Sequence, residues 1–312
     1  MLLHKDREQF EAIINAVSNE LGIPVSIVEK DYYVTMLLKQ LAEKAPGCVF
    51  KGGTSLSKCH HAINRFSEDI DITFSDKLSQ GERQNLKNKI IAGISEYLNL
   101  PIIDWDNAKS RRDYNCYTFK YSPIEGYVPQ SLIEGVKMEV VLGSVSFPTV
   151  EMEVDSYIYQ VLKVDNIELV QEYELEPFTM TLQSIERTFI DKVFALCDYY
   201  IKNDVNKHSR HIYDLYMLFP KITFDDHFKQ LIEEVRIERS KMAKMCPSAE
   251  EGVDISKLLQ DIVDNKIYEK DYEEITSYFQ KDRLEYAEAI SVIDKIREYF
   301  DNMTPGDFNK KL

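Results

Sequence analysis

The segment from Val49 to Phe74 constrains the fold more than any other part of this 312-residue chain. It begins with two apolar residues that are typical of a buried strand, and it continues as Lys-Gly-Gly-Thr-Ser, a glycine turn that leads into a predicted helix. It ends with Asp69-Ile70-Asp71-Ile72, in which acidic and apolar residues alternate. The segment therefore predicts a strand, a glycine turn, a helix and a second strand, in that order.

The second strand would place two carboxylates on one face. Successive side chains of a strand point to opposite faces, so Asp69 and Asp71 share a face and Ile70 and Ile72 share the other. Paired carboxylates repel unless a cation lies between them, and Mg²⁺ prefers oxygen ligands together with substrate phosphates. Glycines in the preceding turn let the backbone approach a phosphate closely. The combination indicates metal-assisted phosphoryl or nucleotidyl transfer.

Each half of this pattern also has a simpler interpretation. Gly-Gly-Thr-Ser is a common turn with a helix N-cap, and alternating acids often occupy the solvated face of a strand. The order of the two halves, together with their apolar surroundings, favours the functional interpretation.

The same residues carry a family resemblance. Lys51-Gly52-Gly53-Thr54-Ser55-Leu56-Ser57-Lys58, followed by Arg65-Phe66-Ser67-Glu68-Asp69-Ile70-Asp71, resembles the signature of the AbiEii/AbiGii toxin family. These proteins are nucleotidyltransferases, distantly related to the polymerase-beta-like superfamily. The gap between the glycines and the acids is longer than in the general superfamily pattern, and it too resembles the toxin family.

A third carboxylate is expected from a neighbouring strand. Residues 113 to 122 and 134 to 145 read as strands, and Lys137 and Glu139 share a face in the second of them. In the resembled family a Lys-x-Glu strand followed by a proline occupies this place, so Glu139 is the candidate. The alternative is an ion pair on an exposed face, and Glu151 and Glu153 are rival candidates.

From Thr181 onward the apolar period changes to that of a helix, with Lys192 on the apolar stripe. An unpaired ammonium is costly to bury, so Lys192 either reaches solvent or meets an acid or a phosphate. The segment Arg187-Thr188-Phe189-Ile190-Asp191-Lys192 resembles a family segment whose lysine contacts nucleotide phosphates.

The run from Ser209 to Tyr216 also resembles the family. In a helix, Arg210 and Asp214 would be four residues apart and positioned to pair, which is usually a surface ion pair. The resemblance favours a functional Asp214, oriented toward Lys192 or the transferred group. His211 is either a general base at an ordinary pKa or a core histidine.

Two amphipathic helices are predicted before the glycine turn, and the second is expected to be capped by Ser26. Its opening, Val28-Glu29-Lys30-Asp31-Tyr32, resembles the family as well. Lys30 is interpreted as structural, with a contact to nucleotide as the alternative.

Composition limits the cellular setting. The net charge is −15, from 38 basic and 53 acidic residues, which argues against broad electrostatic binding of nucleic acid. A local basic patch remains open, either Arg236, Arg239, Lys241 and Lys244 or Lys109, Arg111 and Arg112. The five cysteines are scattered, which fits reduced thiols. No signal peptide or membrane span is predicted, so a cytoplasmic protein without membrane contact is expected.

The predicted fold is α+β: a nucleotidyltransferase domain at 1–176, with a mixed, mostly antiparallel sheet flanked by helices, then a helical bundle at 177–312. The predicted reaction transfers NMP from an NTP to an acceptor hydroxyl and releases pyrophosphate, with Mg²⁺ or Mn²⁺. The predicted metal ligands are Asp69, Asp71 and Glu139, and the predicted catalytic residues are these three with Lys192 and Asp214. The predicted nucleotide-binding residues are Gly52, Gly53, Thr54, Ser55, Lys58, Arg65, Ser67 and Lys192.

The resemblance implies the toxin of a bacterial toxin–antitoxin or phage-defence pair. It also implies an RNA acceptor, the 3′ end of tRNA, and a cognate antitoxin protein as a partner. Two alternatives remain: the same chemistry on a small molecule or protein, and a nucleotide-binding module without chemistry.

Overall fold

The computed structural model describes residues 1–124 and 135–302. Within them the chain divides into two compact units. The first contains Met1–Cys59 and Ser67–Leu182, and the second contains His60–Phe66 and the chain from Gln183 onward. The division predicted after residue 176 stays a prediction. The predicted strand start at 134 and the last residues of the predicted bundle, 303–312, lie outside the described residues.

The first unit contains helices and all the strands that the structure assigns. Its helices are α1 Arg7–Leu21, α2 Val25–Lys44, α3 Gly52–Lys58, α4 Gln80–Asn85, α5 Ala92–Leu98, α6 Tyr157–Leu162 and α7 Ile167–Glu172, with a π-helical segment Leu86–Ile91 joining α4 to α5. Its strands are β1 Cys48–Lys51, β2 Ile70–Phe74, β3 Tyr114–Phe119, β4 Val136–Val145, β5 Thr149–Val154 and β6 Phe178–Gln183.

These strands form one sheet in the order β3-β4-β2-β1-β6-β5. β1 is antiparallel to β2 and parallel to β6, whereas β4 is parallel to β2 and antiparallel to β3. The sheet is therefore mixed, and with its flanking helices it confirms the predicted α+β class. Strands β5 and β6 were not predicted. The helical pattern expected from Thr181 begins only at Ile185, because Thr181 lies within β6.

The sheet has one apolar and one polar face, as the alternation in β2 predicts. Ile70 and Ile72 are fully buried, and Met138 and Val140 of β4 lie in the same core. Asp69 and Asp71 are only half-buried. Burial of the apolar set therefore fixes which face carries the acids, since a one-residue slip would reverse the two faces.

The helices predicted before and after the glycine turn are present, with one difference in capping, whereas α6 and α7 were not predicted. Helix α2 begins directly after Pro24, and Ser26 lies inside it, so the predicted Ser26 cap is wrong. Proline suits the start of a helix because it lacks the amide hydrogen that would be unpaired there. The helix predicted from residue 81 to 98 is present as α4, the π segment and α5, and Ser79 forms a capping box with Glu82 at its start.

The second unit is helical. Its helices are α8 Ile185–Ile201, α9 Arg210–Leu218, α10 Asp226–Ser240, α11 Ile255–Asp264, α12 Glu269–Glu274 and α13 Tyr286–Asp301. Helix α8 packs against α9, α10 and α11, and α13 packs against α9, α11 and α12. The apolar stripe of α8 is buried, including Phe189, Val193 and Leu196. Among all the helices described, none combines the length and apolar character that a membrane span needs.

Candidate active site

The glycine turn lies directly against β2, the strand that contains Asp71. Gly52 follows β1 with a φ of +80°, a left-handed conformation that L side chains rarely adopt. A Cβ atom built on Gly52 would lie 2.0 Å from Oδ2 of Asp71. Only a residue without a side chain permits this approach. The turn and the carboxylate therefore meet at one point, as the sequence predicts.

We expect Gly52→Ala to impair both folding and transfer. The new methyl group collides with the Asp71 carboxylate, and the left-handed backbone alone costs about 1–2 kcal/mol for an alanine. Unfolding in urea should show a loss of about 2 kcal/mol or more. Nucleotidyl transfer should fall about a hundredfold, since a displacement of 1 Å can cost that much.

Gly93→Ala is the matched control, because Gly93 lies inside helix α5 and a Cβ there meets nothing within 4 Å. That variant should keep its activity and gain slightly in stability. Equal behaviour of the two variants would contradict the close approach at Gly52.

Glu139 lies beside Asp71 in the sheet. Strands β2 and β4 are parallel with Asp71 in register with Glu139, and adjacent strands are about 4.8 Å apart. The rival candidates Glu151 and Glu153 lie on β5, which is separated from β2 by β1 and β6. The order of the strands therefore removes them from this site.

Glu139 has two polar neighbours on the same face. Lys137 forms an ion pair with it within β4, and both side chains are half-buried, whereas the alternative interpretation proposed a cross-strand pair on an exposed face. The Tyr114 hydroxyl donates a hydrogen bond to Glu139. Burial raises the pKa of Tyr114, and the charge of Glu139 raises it further. Burial tends to lower the pKa of Lys137, but the hydrogen bond and charge of Glu139 outweigh it and raise that pKa. Both neighbours therefore keep their protons.

The face of the sheet that carries Asp69, Asp71 and Glu139, called the acidic face below, fits a divalent cation whose coordination is completed by substrate. Within the described ranges, no three His, Cys, Asp or Glu side chains are gathered closely enough to hold a metal ion unaided. Mg²⁺ in nucleotide enzymes is usually held by one or two carboxylates together with substrate phosphates and water. Asp69 and Asp71 next to a glycine turn supply a donor set of that kind.

The hydroxyls after the glycine turn are engaged within the first unit. Thr54 Oγ1 donates to Ser67 Oγ at 3.0 Å, which links helix α3 to the segment before Asp69. Ser55 is fully buried, and its hydroxyl donates to the carbonyl of Gly52 at 2.9 Å. Lys58 Nζ lies 2.5 Å from Oδ1 of Asp31. These side chains hold the turn in shape, so a phosphate contact of the turn would come from its backbone.

A buried ionic cluster lies within the second unit. Asp214 of helix α9 has no exposed surface. It accepts two hydrogen bonds of 2.7 Å from Nε and Nη2 of Arg65, and one of 2.6 Å from Nζ of Lys192 in helix α8. Asp214 is thus oriented toward Lys192, and Lys192 meets an acid instead of solvent. Arg65, a predicted nucleotide contact, is the second partner of this acid.

Burial and the charges of neighbouring side chains shift the pKa values of the residues in this cluster. Burial tends to raise the pKa of Asp214, but the adjacent charges of Arg65 and Lys192 hold that pKa well below its usual range. Burial lowers the pKa of Lys192, and Asp214 offsets part of this effect. The carboxylate is therefore ionised, and the lysine releases its proton more readily than an exposed lysine does.

His211 lies beside this cluster, and its surroundings favour the neutral form of the imidazole. Its pKa is well below the ordinary value because it is buried and because Lys192 and Arg210 are cations. The lowered pKa argues against the alternative of a general base at an ordinary pKa and favours a core histidine. Its ring is nearly parallel to the rings of Tyr199 and His208, with interplanar angles of 13° and 5°. This packing is typical of a structural histidine.

The basic cluster near the end of helix α10 is mostly neutralised by acids of its own unit. Arg236 pairs with Glu233, and Lys241 pairs with Glu238. Arg239 binds both Asp191 and Asp198, at 2.8 and 2.7 Å. The first two pairs lie within α10 and its C-terminal end, and Arg239 joins α10 to α8, which favours the solvated or structural interpretation over an RNA-binding surface.

Sequence reasoning missed three residues on the acidic face. Lys51 is in register with Asp71, and Cys116 is in register with Glu139, so each shares the face of its partner. Tyr114, two residues before Cys116, lies on that face as well. Burial raises the pKa of the Cys116 thiol to about 11. Lys51 adjoins the glycine motif and was the one residue whose position in the sequence pointed to the site.

The sheet, the glycine turn and the acid pair are arranged as a nucleotidyltransferase would need them, and the comparisons with known proteins identify that class. Residues 36–302 match the family model described as the nucleotidyl transferase AbiEii toxin of a type IV toxin–antitoxin system. The chain belongs to this AbiEii family, and it is a nucleotidyltransferase toxin.

A solved structure is similar in fold. MenT4, a nucleotidyltransferase toxin from Mycobacterium tuberculosis H37Rv, superposes with a TM-score of 0.51 at 16% sequence identity. The match covers 94% of this chain and 91% of that chain. At this identity the likeness shows the fold alone. The comparison with curated proteins gave no match.

Proposed function

We propose that this enzyme transfers NMP from an NTP to a hydroxyl of RNA, at the 3′ end of tRNA, in the presence of Mg²⁺ or Mn²⁺. The observation that supports it most is the contact between Gly52 and Asp71, because it joins a turn suited to phosphate to a carboxylate suited to a cation. In the reaction, the acceptor oxygen forms a bond to the α-phosphorus and loses its proton. The bond from that phosphorus to the oxygen that bridges the α- and β-phosphates breaks, and pyrophosphate leaves.

The carboxylates of the acidic face and the glycine turn beside them have proposed roles. Asp69 and Asp71 would hold the divalent cation, with Glu139 as a third carboxylate or as the anchor of Lys137 and Tyr114. When bound, such a cation neutralises the triphosphate and lowers the pKa of the acceptor hydroxyl. The backbone from Gly52 to Ser55 would contact the phosphates.

The proposed roles of the cations follow from their partners. In the second unit, Asp214 would orient the Lys192 amine toward a phosphate, and Arg65 would keep Asp214 ionised. Lys58 is paired with Asp31, and it would act by holding the end of helix α3. Ser67 would serve through its hydrogen bond with Thr54.

The biological setting follows from the family. A type IV toxin implies a cognate antitoxin, and we propose that such a partner, or a role in phage defence, controls this enzyme. Modification of the acceptor end of tRNA would stop translation, which is a toxic effect of the kind that such a pair must control.

The direct test is incubation of the protein with each α-labelled NTP, Mg²⁺ and total cellular RNA. We expect label from one or more NTPs to enter RNA of tRNA size and pyrophosphate to be released in equal amount. Asp71→Asn is the control, because it keeps the shape of the side chain and removes the charge. Label in a small molecule or protein would replace the proposed acceptor, and nucleotide binding without pyrophosphate release would reject the proposed chemistry.

A further inference from the structure

Helix α2 contains consecutive charged residues that are buried. The Lys30 side chain is 1% exposed and forms an ion pair with Glu68, the residue that directly precedes Asp69. Asp31, the next residue, accepts hydrogen bonds from Nζ of Lys58 at 2.5 Å and from the backbone N–H of Tyr157 at 2.9 Å. One turn of helix α2 therefore contacts both the segment from Ser67 to Asp71, called the acidic segment below, and the C-terminal end of helix α3.

A third contact closes the arrangement. Helix α3 and the acidic segment are joined directly by the 3.0 Å hydrogen bond from Thr54 to Ser67. Helix α3 begins at Gly52, so its position decides where the glycine turn lies relative to Asp71. All of these residues belong to the first unit.

Stability alone does not explain these buried charges. Removing two ions from water costs several kcal/mol for each ion, and an apolar pair of similar volume is often equally stable or more stable. A buried ion pair does, however, specify one arrangement, because any other arrangement leaves a charge unpaired in the interior. The positions of Lys30 and Asp31 suit that role, since Lys30 binds Glu68 beside Asp69 and Asp31 binds Lys58 at the end of helix α3.

We propose that Lys30 and Asp31 are positioning residues for the catalytic face. Acting through Glu68 and Lys58, they hold Asp69 and the glycine turn at a fixed separation, so that the site is formed before the cation and NTP bind. The inference rests on the proposed function for the identity of the cation ligands. In this role Lys30 would act through Glu68 and not through a contact of its own with metal or nucleotide.

The test compares Lys30→Met with the double variant Lys30→Met/Glu68→Met, using as the probe Mn²⁺ together with an NTP whose bond between the α- and β-phosphates cannot be cleaved. The single change leaves the Glu68 carboxylate without the ammonium of Lys30, so the Tm of the Lys30→Met variant should fall. The double change removes both charges and should return the Tm close to that of the parent. We nevertheless expect the double variant to bind Mn²⁺ about 10–100-fold more weakly by electron paramagnetic resonance. Its kcat should fall by a similar factor.

Arg83→Met is the matched control. Arg83 lies in the same unit, pairs with Asp113 and donates to the carbonyl of Leu142. Its loss should lower the Tm and leave the affinity for Mn²⁺ unchanged. Parental Mn²⁺ affinity and kcat in the double variant, or an equal loss of affinity in Arg83→Met, would overturn the proposal. Binding of Mn²⁺ by the parent without NMP transfer would reject the proposed reaction and leave the positioning role intact, whereas no binding by the parent would reject both.

Discussion

Asp69→Ala is expected to abolish nucleotidyl transfer while the protein stays folded. The carboxylate is half-buried directly before β2 and acts electrostatically on Cys116 and Lys137, which lie on the face that carries Asp71 and Glu139, and the core lies on the opposite face. Its loss would remove a proposed ligand of the cation, and such a cation contributes several kcal/mol to the transition state. A drop in kcat of about a thousandfold or more follows from a loss of that size.

The measurement is the rate of pyrophosphate release at saturating NTP, alongside circular dichroism and the Tm. Glu153→Ala is the control, since Glu153 is an exposed acid on β5 of the same sheet and lies three strands away from β2. That variant should turn over at the parental rate. An Asp69→Ala protein with parental kcat would reject the assignment of Asp69 to the cation.

Asp214→Ala is expected to produce the largest loss of stability. Asp214 is the shared partner of Arg65 and Lys192, and both of these cations are buried. Removing it leaves two positive charges side by side in the interior. Breaking a buried pair in this way costs about 3–5 kcal/mol, so the variant should unfold at a much lower urea concentration.

Lys192→Met separates the stability of the cluster from its proposed part in transfer. It keeps the bidentate contact between Arg65 and Asp214, so its stability should stay close to that of the parent. Its rate of transfer should nevertheless fall strongly, because the amine proposed to meet the phosphate is gone. Parental kinetics in Lys192→Met would make the lysine purely structural, and parental stability in Asp214→Ala would show that the two cations find other partners.

Local patterns in the sequence predicted the local structure of the segment from Val49 to Phe74. The alternation of acids and isoleucines in β2 predicts its buried and polar faces, and two glycines before a polar helix predict the turn at Gly52. These features depend on neighbours within a few residues, so they can be read before the fold is known. The apolar stripe of helix α8 was readable for the same reason.

The partners of the charged residues could not be read in this way. Arg65 and Asp214 are separated by 149 positions, and Lys30 and Glu68 by 38. Nothing in the spacing of such residues shows which cation will meet which acid, because the pairing depends on how distant helices pack. Arg65 and Lys58 were accordingly predicted as nucleotide contacts, although each is held by a carboxylate.

The amino-acid sequence by itself determined the glycine turn, the shared face of Asp69 and Asp71, and the family of the protein, since each depends on a short run of residues with a strong local preference. Only the tertiary structure decided that Glu139 lies beside Asp71, that β5 lies far from it, and that Asp214 holds two cations. Strand order and long-range ion pairs are set by burial of the whole core, and no single segment contains that information.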